Sequence, residues 1–144
     1  MKINLDSVPS TIEKAVDEII GSLDEKEKEF IKLNYSSKNI VVKIQGEVTE
    51  ELIINRNQPY TVHFSAGMKI RNDWSLWEKD SPLKRDAVEK YGIAHADDIS
   101  GLIFSWVWAK VRNEEFDPIE HCRVYHEHWK NYGTNALKAG GWET

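Results

Sequence analysis

Helix starts and stops are marked along this chain by residue pairs at fixed spacing, and they constrain the fold more than any other feature. The first N–H groups of a helix have no acceptor within it, so a short polar side chain just before the helix supplies one. Ser10 with Glu13, and Ser22 with Glu25, have the S-x-x-E pattern of a capping box. Ser81-Pro82 and Asp117-Pro118 each put such an acceptor ahead of a proline at the first helical position. Gly21, Gly92 and Gly133 stand where the corresponding helices should stop.

The apolar residues fill in what lies between these marks. Ile12, Ala15, Val16, Ile19, Ile20 and Leu23 recur on one face, which predicts a helix over about 11–21. A charged helix follows with Phe30, Ile31 and Leu33 as its apolar contacts, so that about 10–34 reads as a helical hairpin. Residues 36–60 change texture: Ile40 to Ile44 and Glu51 to Asn55 are β-branched and read as two short strands. The pattern then returns to helices over 62–75, from Pro82 to Gly92, and from about His95 to Arg112, with a last one opened by Asp117 and closed as a box by Glu120. In the His95 to Arg112 segment Ile99, Leu102, Ile103, Trp106, Val107 and Val111 form the main stripe, and Phe104 and Trp108 lie off it. A helix apolar nearly all round belongs at the centre of a fold. Trp74 and Trp106 are expected to be largely buried, and the tail 134–144 to be loosely held, with Trp142 as a residue that could dock its end. The expectation is a mainly α single domain, residues 1–144, of about six helices with a small two-stranded β element at about 40–55. Within it a β-like insertion (about 36–60) precedes a helical core (about 62–133).

With 144 residues, 40% of them hydrophobic, the chain is long enough for one core. A formal charge of −5 without a Lys/Arg cluster gives no attraction to phosphate backbones or anionic lipid, so neither nucleic acid nor membrane is an expected partner. One cysteine, Cys122, excludes an internal disulfide framework, and no apolar run reaches signal-peptide or membrane-spanning length; a cytoplasmic protein is expected.

Three clusters have chemical potential. His63, Gly67 and Arg71 lie at i, i+4 and i+8, with Asn72 beside them, a helical strip that can grip an anion or pair with carboxylates of a neighbouring helix. His95, Asp97 and Asp98 can act as an acid/base pair or as half of a metal site, but a helix cap with carboxylates on the positive end of the dipole explains them more simply. In the third, Cys122 and His126 share a face, as do His121 and His128. Zinc needs three or four ligands and no CxxC, HxxxH or HExxH supplies the rest, so neither a metal nor another cofactor is expected. Nucleophile elbows and glycine-rich phosphate loops are absent as well, and Cys122 with a histidine one turn away is the one local nucleophile pairing.

His63-Phe64-x-x-Gly67-Met68-x-Ile70-Arg71-Asn72-x-Trp74, followed by His95-Ala96-Asp97-Asp98-Ile99-Ser100 and preceded by Val8-Pro9-Ser10-Thr11, resembles a family of small bacterial and phage-associated proteins of uncharacterised function. That family's pattern is V-P-x-T, then H-F-x-x-G-M-x-I-R-N-x-W, then H-P-D-D-M-S. Ala96 stands here in place of its proline and Ile99 in place of its methionine, and residues 36–60 are an insertion. The resemblance implies that His63, Arg71, Asn72, Trp74, His95 and Asp98 belong to one shared cluster. The first reading of function is therefore a binding or interaction module around the His63/Arg71 helix, taking a protein or a small anionic ligand, rather than an enzyme. A second is an enzyme or binder whose His63, Arg71, His95 and Asp98 converge on a phosphate or nucleotide. A third is an inhibitor or immunity-type protein acting on a partner protein. A pocket shared by these side chains separates the second from the others.

Overall fold

The computed structural model describes residues 8–34, 74, 76, 78 and 81–142. Their first helix, α1 (Ile12–Ser22), starts one residue later than the capping box implies: Thr11 is the N-cap, and its hydroxyl accepts from the Lys14 N–H at 3.1 Å. A tertiary bond accounts for the shift, because the Ile12 N–H donates to Asp86 Oδ2 at 2.8 Å while the Ile12 side chain is fully buried. Gly21 lies inside α1 and does not end it; the chain leaves at Leu23, which is buried. Ser22 consequently still belongs to α1, and its hydroxyl donates back to the Ile19 carbonyl at 2.6 Å. The box that opens α2 (Glu25–Asn34) is instead Asp24 with Glu27, each carboxylate accepting from the other's backbone N–H at 2.8 and 3.1 Å.

The proline-marked starts fall where the sequence puts them. Helix α3 (Pro82–Tyr91) is capped by Ser81 and stops at Gly92, whose φ of 67° is the left-handed value that glycine adopts without strain. Helix α4 (Ala96–Val111) begins at His95. Helix α5 (Pro118–Asn131) is capped by Asp117, whose Oδ1 accepts from the Ile119 and Glu120 N–H groups at 3.0 and 3.2 Å. The Glu120 carboxylate does not fold back to close the box; it pairs with Arg123 at 2.8 Å.

Helix α4 is the centre, packing against α1, α2, α3 and α5. Contact on so many sides explains why Phe104 and Trp108 are buried along with Ile99, Leu102, Ile103 and Val107. Trp106, expected among the largely buried residues, is only partly so: it sits at the core edge between Tyr91 and Phe116, with ring centroids at 6.4 and 5.7 Å. Trp74 is fully buried as expected, but it lies in a turn rather than a helix, and its carbonyl accepts from the Ser81 hydroxyl at 3.2 Å.

Two further expectations are corrected. Among the described residues there are six helices and no strand, so these residues are mainly helical and show no two-stranded element; residues 40–55, on which it was placed, lie outside the described residues. The C-terminal tail is not loose up to Trp142. Asn135 caps a sixth, one-turn helix α6 (Ala136–Ala139), Ala136 is buried, and the Lys84 ammonium donates to the Gly140 carbonyl at 2.9 Å. Trp142 does turn back, its N–H donating to the Leu137 carbonyl at 2.9 Å.

Candidate functional site

Of the seven residues singled out as a candidate binding cluster, His63, Arg71 and Asn72 lie outside the described residues, and Trp74 is core. His95, Asp97 and Asp98 come together at the N-terminus of α4. There His95 Nδ1 accepts from the Asp97 N–H at 3.1 Å, which makes the imidazole the cap of the helix and leaves the proton of its neutral form on Nε2. Asp97 is exposed in the first turn, where its charge complements the helix dipole. Both fit the capping account of this cluster.

Asp98 departs from it. The side chain is buried, at 7% exposure, and its Oδ2 accepts from the Trp129 indole N–H at 2.8 Å. Burial pushes the carboxyl pKa up, and the bond from Trp129 together with the nearby His95 and His128 pulls it partly back. The Trp129 ring also lies against His95, centroid to centroid 5.5 Å. Trp129 is thus the organiser of this corner, and sequence reasoning missed it as a site residue. Its position seven residues after Cys122 and four after Tyr125, on the inward face of α5, was the available signal.

The remaining α5 histidines do not form a site with the thiol. Cys122 is fully buried, and burial above all, with Asp98 nearby, pushes its pKa up to about 12; it is a thiol at neutral pH and not a nucleophile. His121 is buried too, its Nε2 2.9 Å from the Tyr125 hydroxyl, and burial lowers its pKa to about 4. His126 Nε2 lies 3.1 Å from the Tyr91 carbonyl, and His128 meets Trp129 edge-on and Tyr132 at a tilt, with ring centroids at 4.7 and 4.9 Å. Among the described residues no three His, Cys, Asp or Glu side chains are placed to hold a metal.

Two cavities are bounded by described residues. One, of ≈ 560 Å³, lies between Gly92, His126 and the C-terminal residues Asn135, Leu137, Lys138 and Trp142. The other, of ≈ 720 Å³, runs along α5 between Phe116, Glu120, Val124, Glu127, His128 and Asn131, with Glu115 and Asp117 at its end. Neither is lined by His95, Asp97 or Asp98. No helix among the described residues is long and apolar enough to cross a membrane.

Comparison with known proteins yields no match to a curated protein and none to a solved structure. A family model does match, over residues 8–111, from the Val8-Pro9 segment to the last residue of α4, leaving α5 and α6 beyond it. The chain therefore belongs to the family of the domain of unknown function DUF6794.

Proposed function

We propose that the protein is an interaction module that binds a partner protein carrying a basic, partly apolar surface, and that α5 is the contact element. The observation that supports this reading most is where the exposed large apolar residues lie. Among the described residues they are Val8, Ile119, Val124 and Tyr132, and the last three, exposed by 66%, 49% and 73%, belong to α5 or its C-cap. Val124 lies within the longer cavity, whose carboxylates Glu115, Asp117, Glu120 and Glu127 outweigh the single cation Arg123. Such a surface favours a positively charged partner and disfavours a second copy of the same acidic face. The catalytic alternative draws less support, since His95 and Asp98 are engaged in the packing of α4 against α5 and line neither cavity.

A photo-crosslinking residue placed at Val124 tests the proposal, with the same residue at exposed Lys26 on α2 as control. A discrete adduct to a second protein is expected from position 124 alone, weakening with added salt and lost on Glu120→Lys with Glu127→Lys. The proposal fails if the adduct is a dimer of this chain, if position 26 gives the same adduct, or if none forms in cells that express the protein.

A further inference from the structure

The family match ends with α4, and the helices beyond it return to cover one place: the corner between α3 and α4 where the His95–Ser100 turn lies. Three polar latches hold them there. The Trp129 indole donates to Asp98 at 2.8 Å, His126 Nε2 meets the Tyr91 carbonyl at 3.1 Å, and the buried Lys84 ammonium reaches the Gly140 carbonyl at 2.9 Å. Gly140 sits so close to the turn that a Cβ there would lie 2.2 Å from the Ala94 carbonyl carbon and 2.3 Å from the His95 nitrogen. Burial is distributed unequally between the two parts. Helix α4 buries ten residues, α5 buries His121 and Cys122 and packs Tyr125 and Trp129 partly buried against the core, and α6 buries Ala136. Elements with few buried groups and a few polar attachments open at lower free energy than the core they cover.

From this asymmetry we propose that residues 118–142 form a strap that opens as a unit on a folded α1–α4 core, uncovering the His95 imidazole and the Asp98 carboxylate. The closed strap gates that turn, since in it Asp98 is bonded to Trp129 and His95 lies against the same ring. This inference is independent of the docking surface proposed above, because the exposed residues of α5 stay exposed when the strap is closed.

The one cysteine reports on opening, since Cys122 is fully buried on α5 and can react with an external thiol reagent only after the strap lifts. Labelling with N-ethylmaleimide is followed as a function of denaturant well below the unfolding transition. The expected slope is a minor fraction of that of global unfolding, because lifting the strap exposes a minor part of the buried surface. Gly140→Ala forces a methyl into the Ala94–His95 backbone and is expected to speed labelling by about tenfold or more while the helices of the core persist by circular dichroism. Trp129→Phe, which keeps the ring and removes the donor to Asp98, is expected to speed it as well. Labelling of the parent protein with the full denaturant dependence of global unfolding overturns the inference. So does Gly140→Ala if it labels at the parent rate or fails to fold, for the segment would then be integral to the core.

Discussion

Mild acid should destabilise this protein through one buried imidazole. His121 is 9% exposed, and burial lowers its pKa from the ordinary 6.5 to about 4. Between those values the unfolded chain takes up a proton that the folded chain refuses, so stability falls as the pH falls. The contribution is fully present above about 6.5 and is lost progressively towards 4. A full unit of pKa difference corresponds to about 1.4 kcal/mol, and from pH 7 to pH 5 the linkage integrates to about 2 kcal/mol. Asp98 works in the opposite sense. Its folded carboxyl is raised by burial, so what it contributes is present below its unfolded pKa and lost as pH rises through the folded one. The comparison that isolates the histidine is with His121→Gln, which leaves Asp98 in place and keeps a polar partner for the Tyr125 hydroxyl. Denaturant unfolding at pH 7 and pH 5 in both proteins should show an extra loss of about 2 kcal/mol in the parent. Equal losses in the two proteins would mean that His121 titrates normally in the folded state, and the reasoning from its burial would be refuted.

Two further substitutions probe the packing. Trp74→Ala removes the largest fully buried side chain among the described residues and should cost ~3–5 kcal/mol of unfolding free energy, whereas Trp74→Phe should cost much less, since the Trp74 indole N–H is buried without a hydrogen-bond partner among the same residues. A Cβ at Gly101 would lie 2.5 Å from the Tyr125 hydroxyl oxygen, so Gly101→Ala should destabilise by ~1–3 kcal/mol; adding Tyr125→Phe should recover part of the loss, and a strictly additive double variant would contradict the close approach.

The helices most legible in the sequence are those whose signals are local and redundant. Ser81-Pro82 with Gly92, and Asp117-Pro118 with Gly133, specify their cap and their stop from residues within the same segment, and the structure follows them. Ser10 and Ser22 failed as caps because their position was decided from a distance. Asp86, 74 residues along, takes the N–H of Ile12, and the burial of Leu23 keeps Ser22 inside the first helix. The tail misled for a related reason. Its composition, small and glycine-rich, is that of a loose end, yet the missing side chain of Gly140 is what lets the backbone come down on the Ala94–His95 turn, where Lys84 meets it. A glycine that permits close approach and a glycine that merely loosens a chain look alike until the surface it meets is known.

The H-x-D-D-x-S cluster carries the same lesson at the level of chemistry. Sequence places Asp97 and Asp98 side by side in the first turn of a helix, and the dipole argument treats them alike. One residue of helical rotation is about 100°, and it sends Asp97 to solvent and Asp98 inward beneath Trp129. Of the two, Asp98 is the one bonded directly to α5, and on the loss of that helix it gives up an indole donor and gains water. Because an ionised carboxylate is the form that water favours, a chain with α5 displaced holds Asp98 charged where the closed one resists that charge. The corner at the start of α4, inside the family match, is thus completed in this protein by a tryptophan that lies 18 residues beyond that match, 129 against 111, on a helix the match does not include.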